Sequence, residues 1–310
     1  LSHPASVLSV VFRTLRRLLL ATLSAAALAA GWLLWGGARP AAEAATLNTA
    51  ACQGGEDLRG AALAETLNRA VLGLKGKFFT ENGRVDYRAM KGSPEWAAYE
   101  GLAGCLRAFD PATLAGRAER LAFWINLYNA LVVHGVLAAD VPQSVTKVPS
   151  FFDTTAYEIG GMRFSLEDVE HGILRGNRPK YLRPWAPLPK SDPRLKHALE
   201  SLDPRIHFAL VCGARSCPPV GAYTADRIDE QLDLAARSFV NQAVEVTPDG
   251  KELRVSSILQ WYEADFGGRD GVLNFLRRTL SPGPTLRLLE AGAEPKISYV
   301  DYDWNLNDAT

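Results

Sequence analysis

His207, Cys212 and Cys217 fall within one short run, Ile206-His207-Phe208-Ala209-Leu210-Val211-Cys212-Gly213-Ala214-Arg215-Ser216-Cys217-Pro218-Pro219. An imidazole that takes the proton of a thiol leaves a thiolate, the attacking form of cysteine. Read as an apolar strand, the run sets Ile206, Phe208, Leu210 and Cys212 on one face and His207, Ala209 and Val211 on the other. Cys212 then points away from His207. Gly213 permits a sharp turn that returns Cys217 toward the histidine. Arg215 two residues earlier, and Pro218 at the first position of a helix, would favour a thiolate at Cys217. The plainer expectation stands beside this one: Cys212 a small core residue, Cys217 the prelude to a proline turn, and His207 a satisfied interior histidine.

Other polar residues could support such chemistry. Asn126 and Asn129 lie three apart on one side of an otherwise apolar helix, so each buried amide needs partners, from loop backbone or from a catalytic group. Glu167, Glu170, His171 and Leu174 share the i, i+3, i+4, i+7 spacing of one helix face, and a carboxylate beside an imidazole can orient it. These residues do not form a recognisable zinc pattern, and neither a metal nor a cofactor is expected. Tyr181, Arg183 and Trp185 could line a cleft or cover the core edge, and the covering role is the expectation. His134 is expected to pack near the end of its helix.

The positioning elements follow from periodicity. Helices are expected from about Glu56 to Leu74, stopped by Gly73 and Gly76, from Pro94 to Arg107, and from Arg117 to Ala138, the last apolar on almost every side and therefore central. Asn82-Gly83 marks a turn before a short extended piece at Val85-Asp86-Tyr87. Tyr157 to Phe164 reads as a hairpin over Gly160-Gly161, and Ser165 with Asp168 starts a short helix through about Leu174. Asn177 to Pro193, with five prolines from Pro179 onward, is expected to be an ordered loop. A helix from Asp226 to Val240, a hairpin around Asp249-Gly250, a helix near Gly271 to Leu280 and a strand at Lys296 to Val300 complete an α+β pattern.

The chain of 310 residues has 34 basic and 34 acidic side chains. Arg13, Arg16 and Arg17 precede Leu18 to Trp35, a run of eighteen residues without a charge, and Ala42-Glu43-Ala44 resembles a cleavage site. Residues 1–44 are therefore expected to be a signal peptide or an N-terminal membrane anchor, followed by a linker at 45–55 and one domain at 56–310. Either case places the domain in the periplasm or otherwise outside the cytoplasm, held at the inner membrane if the segment is uncleaved. Without residues 1–44 the chain has 30 basic and 33 acidic residues, a balance that gives no basic footprint for nucleic acid. Four cysteines in an oxidising compartment allow a Cys52 to Cys105 disulfide, with Cys212 and Cys217 as thiols or as a second pair that would silence the nucleophile.

Three blocks carry a family resemblance: Phe123-Trp124-Ile125-Asn126-Leu127-Tyr128-Asn129-Ala130-Leu131, then Glu170-His171-Gly172-Ile173-Leu174-Arg175, then His207 to Pro218. In order and spacing, over about residues 85–241, they resemble the domain of unknown function 547 family. The resemblance implies a papain-like or transglutaminase-like core, with a buried central helix packed on a small, mostly antiparallel sheet. It also implies a triad of Cys217 as nucleophile, His207 as base and Glu170 as orienting carboxylate, supported by Asn126, Asn129, His171 and Arg215. The function expected on that basis is that of an exported cysteine hydrolase or acyltransferase acting on an amide, ester or thioester. Its partner would be a peptide, a cell-wall amide or a small acyl substrate. A noncatalytic envelope binding domain is the alternative, and a thiol-redox role for Cys212 and Cys217 is a weaker one, since C-x4-C is not the C-x-x-C spacing.

Overall fold

Two hydrophobic clusters organise the chain, and the segment carrying His207 lies where they meet: Ile206 and Ala209 belong to one, Phe208 to the other. The computed structural model describes residues 46–292 and 295–309, so the expected signal or anchor segment lies outside the described residues. The larger cluster begins with α1, Gly60–Phe78, and α2, Pro94–Cys105, whose start is set by Pro94 and by the Ser93 hydroxyl accepting from the Trp96 N–H. α1 runs through Gly73 and Gly76, contrary to the expected stop. Each glycine costs only about 1 kcal/mol in a helix, less than burial of Leu74 and Phe78 on the same face returns.

The centre is α3, Arg117–Ala138, in which every residue from Leu121 to Leu137 is buried. Among the described residues it is the one helix long and apolar enough to cross a membrane, yet it is the core helix of this fold. It packs against α1, the β1 strand Ala156–Ile159 and a π-helix, Asp168–Leu174. β1 pairs antiparallel with β2, Met162–Ser165, across Gly160 and Gly161, both at positive φ as such a turn requires. Ser165 and Asp168 then form a reciprocal cap: each backbone N–H donates to the other's side chain, at 2.9 and 3.1 Å.

The second cluster gathers α4, Ile228–Ala243, with β3, Glu245–Val246, β4, Glu252–Ser256, α5, Gly268–Thr279, α6, Pro284–Glu290, and β5, Lys296–Val300. β3 pairs antiparallel with β4, and β4 pairs parallel with β5. The fold is thus α+β, but among the described residues two small sheets, one of them mixed, stand where a small, mostly antiparallel sheet was expected.

The run from Ile206 is not a strand. Asp203 caps Pro204–Phe208 as a 3-10 helix, accepting from the Arg205 N–H, with Pro204 in the first position. An apolar run buried on every side has no periodicity to distinguish strand from helix. No helix begins at Pro218 either.

Candidate functional site

A cleft of about 230 Å³ opens at the junction of the two clusters. His207, Cys212, Cys217, Glu167, Glu170 and His171 all line it. The 3-10 helix with the segment after it, the π-helix and the helical turn Ile258–Trp261 converge there, and the turn Glu263–Phe266 brings Asp265 to His207; sequence periodicity did not reveal these two turns.

Asparagines of α3 position the thiol segment. The Asn129 amide donates to the Ala209 carbonyl at 2.9 Å and accepts from the Val211 N–H at 3.0 Å. Asn126 does the same to Tyr223, at 2.7 and 2.9 Å. Both amides are therefore spent on loop backbone, and neither lines the cleft. Of the two expected partners, loop backbone or a catalytic group, Asn126 takes the backbone. Between the two clamps Gly213 turns the chain at φ +77. The C-terminal tail pairs with the turn through Arg215 N–H to Asn305 and Asn307 N–H to Gly213. Arg215 is exposed and stands outside the cleft lining, so it does not supply the cation expected beside Cys217.

Cys212 and Cys217 form a disulfide, with Cα atoms 6.2 Å apart, and so the second pairing alternative holds. Cys52 and Cys105 form the other. The Cys217 sulfur accepts from the Cys212 N–H at 2.9 Å and from the Tyr302 hydroxyl at 3.1 Å. Both cysteines face the same cleft as His207, which corrects the expectation that Cys212 points away from it.

His207 is fully enclosed. Its Nε2 lies 2.9 Å from Asp265 Oδ2, its ring stacks on Tyr262 with centroids 3.7 Å apart, and its Nδ1 has no hydrogen-bond partner among the described residues. A carboxylate on Nε2 selects the tautomer protonated there, which leaves Nδ1 as the lone-pair nitrogen. Burial pushes the His207 pKa down, and it stays below the usual value although Asp265 and Glu170 push the other way. Asp265 is in turn gripped by Arg175 through both oxygens, at 2.6 and 3.0 Å. Burial alone would raise the Asp265 pKa, but His207 and Arg175 overcome it and hold the carboxyl well below the usual range.

Glu170 lies in the cleft but touches different groups. It accepts from the Tyr128 hydroxyl at 2.8 Å and the Tyr262 hydroxyl at 2.5 Å. Burial opposes its ionisation, yet His171, the Tyr262 hydrogen bond, Lys180 and His207 bring its pKa down to about 2. Because Tyr262 both stacks on His207 and donates to Glu170, it joins this carboxylate to the imidazole at one remove. His171 Nδ1 accepts from Arg175 at 2.8 Å, since a guanidinium only donates. That places the His171 proton on Nε2, which faces Glu167 and Glu170 at 3.9 and 3.8 Å. The shared face of Glu167, Glu170 and His171 is therefore present, although the helix there is of the π type, a form that recurs at functional sites.

The carboxylate bonded to His207, its stacking ring and the hydroxyl on Cys217 come from Asp265, Tyr262 and Tyr302, all beyond the signature blocks. For Asp265 and Tyr262 the one signal in the sequence is the aromatic and acidic density of Trp261-Tyr262-Glu263-Ala264-Asp265-Phe266, and Tyr302 lies in the similar run Asp301-Tyr302-Asp303-Trp304. The fold and site define an α+β protein whose cleft sets a cystine beside a carboxylate-bound histidine. Residues 111–240 match the family model described as "Protein of unknown function, DUF547", which supports the DUF547 family for this chain. No curated protein and no solved structure matches it.

Proposed function

We propose that the cleft is a cysteine-dependent acyl-transfer site, hydrolase or acyltransferase, whose working form is the reduced one. The observation that carries the reading is a buried imidazole with a carboxylate on one nitrogen and an unpartnered lone pair on the other, lining the same cleft as Cys217. A dithiol reductant opens the Cys212–Cys217 bond, yielding two thiols and the oxidised reductant. His207 Nδ1 then takes the Cys217 proton, and the Cys212 N–H and Tyr302 hydroxyl hold the thiolate. The sulfur attacks the carbonyl carbon of an amide, ester or thioester, and the leaving group takes the proton from His207. Water or an acceptor hydroxyl or amine, deprotonated by His207, releases the acyl group, and the proton returns to sulfur.

Cys217 as nucleophile and His207 as base are the papain-like or transglutaminase-like roles that the family resemblance implies; the orienting carboxylate differs, since Asp265 and not Glu170 bonds His207. Asp265 orients the imidazole directly, while Glu170 supports the imidazolium through Tyr262 and by its charge. Work outside the cytoplasm belongs to the same proposal, and the Cys52–Cys105 disulfide, of a kind that persists in oxidising compartments, supports it. One observation favours a second reading, disulfide exchange: the cystine itself lines the cleft. A noncatalytic envelope binding domain using the cleft is the remaining alternative.

The test is alkylation of Cys217 by iodoacetamide after reduction, followed by peptide mass across pH, in wild type and His207→Ala. Rapid labelling near pH 6, well under the free-thiol value of about 8.5, and its loss in His207→Ala are expected. Incubation of the reduced protein with p-nitrophenyl acetate should then leave an acetyl group on Cys217 that turns over. An ordinary pH profile in both proteins would remove the acyl-transfer reading. A fast thiol that exchanges disulfides but never acylates would leave the redox one.

A further inference from the structure

We infer that the proline-rich loop from Asn177 to Lys190 is a docking element for an anionic lipid bilayer, with Leu182 and Trp185 entering the headgroup region. This inference does not rest on the acyl-transfer reading.

Among the described residues, five large hydrophobic side chains are exposed, and three of them, Tyr181, Leu182 and Trp185, fall within five positions of this loop. Scattered exposed apolar residues are ordinary, but a cluster marks an interaction surface. Leu182 is 85% exposed and sits at φ +61, a region that branched, bulky residues avoid. The backbone thus bears strain while holding the side chain away from the protein.

The loop is not loose. Asn177 brackets it, donating to the Leu188 carbonyl at 2.9 Å and accepting from the Leu188 N–H at 3.0 Å. Arg175 holds the Pro179 carbonyl at 3.0 Å, and Lys180 reaches Glu167 at 2.9 Å. A fixed loop with an apolar tip is pre-organised for a partner.

The charge around the tip indicates which one. Arg178, Lys180, Arg183 and Lys190 give four cations and no acid from Asn177 to Lys190, in a chain whose charges balance overall. Among the described residues the Arg178 side chain makes no hydrogen bond and one ion pair, a 3.7 Å contact with Asp265, both of whose oxygens are already bound by Arg175 and His207. Half of its side chain is open to solvent. Tyrosine and tryptophan at the headgroup level, an aliphatic side chain below it and cations toward anionic lipid are the composition of an interfacial anchor.

The experiment uses the full chain reconstituted in vesicles of phosphatidylethanolamine and phosphatidylglycerol, with fluorescence quenching by bromine-labelled acyl chains. The contribution of Trp185 is the difference between wild type and Trp185→Phe, which cancels the other tryptophans. That difference should be clear in the anionic vesicles, vanish in Leu182→Glu, and fall in high salt or in phosphatidylcholine. Arg183→Gln should shift the loop toward the uninserted state by about fivefold, the factor for one cation near such a surface. Circular dichroism matching the wild type would show that the exposed-site variants fold. No Trp185-dependent quenching in anionic vesicles, as an acidic protein partner would give, overturns the inference. So does quenching that Leu182→Glu leaves unchanged, or that is the same in phosphatidylcholine.

Discussion

Replacing Asp265 with asparagine tests the centre of the site with the least change in shape. Asp265 and Arg175 are 1% and 4% exposed at their side chains, and Asp265 also bonds His207. Breaking a buried ion pair costs about 3–5 kcal/mol, because the remaining charge is left uncompensated. Asparagine keeps one oxygen for the guanidinium, so the lower end, about 3 kcal/mol, is expected. For a domain of this size each kcal/mol moves the midpoint by about 2–4 °C, which gives a fall of roughly 6–12 °C. The pH dependence supplies a second, independent reading. The Asp265 pKa is lower in the folded protein than the unfolded value of about 3.9. Its stabilisation is therefore complete above about pH 4 and drains away as the pH falls toward the folded value. Thermal unfolding followed by circular dichroism should show the wild type and Asp265→Asn far apart at neutral pH, with the gap narrowing in acid. A midpoint loss under about 2 °C, or a gap constant with pH, would refute the reasoning.

Three further outcomes are expected. Cys212→Ser should leave Cys217 open to iodoacetamide without reductant, whereas the wild type should label there only after reduction; peptide mass mapping decides, and unreduced wild type that labels would contradict the cystine. Glu170→Gln removes a charged acceptor shared by two tyrosine hydroxyls and should cost about 1.5–3 kcal/mol by denaturant unfolding. The Glu170 contribution is lost as pH falls from about 4.3 toward about 2, and reduced Cys217 should keep more of its reactivity in Glu170→Gln than in Asp265→Asn. His134 packs edge-on against Trp96 and bonds Tyr157 at 2.8 Å, and burial brings its pKa down to about 4. Imidazole carbon shifts by NMR should show it neutral down to about pH 5; since the unfolded value is about 6.5, its contribution is lost as pH falls between the two.

Long amphipathic or wholly apolar segments were legible because burial imposes their period. Arg117–Ala138 agrees with the reading at both ends, and the Ser165 and Asp168 cap was visible as a motif. Gly213 as a turn residue was legible for the same kind of reason. The apolar run from Ile206 misled, because a chain buried on all sides can have its backbone satisfied by something other than a strand; here an asparagine does it. Pro218 followed a turn and not a helix, since proline suits both. His207, Cys217, Glu170 and His171 do meet in one cleft. Asp265 and Tyr262 could not be found by spacing, because they arrive from helical turns of four residues, too short to show a period.

The two asparagines of the central helix have a consequence for how this site can change. Asn129 reads one carbonyl and one N–H two residues apart, as a neighbouring strand would, and Asn126 reads both groups of Tyr223. Neither recognises a side chain. The helix therefore works as a fixed socket for main chain; the side chains of Ala209, Val211 and Tyr223 are themselves buried in the core, and it is the exposed positions between the sockets, such as Arg215, that can exchange their side chains without losing their place. Position is thus set by main chain, so the exposed residues of that segment can vary while the place of Cys217 in the cleft is preserved.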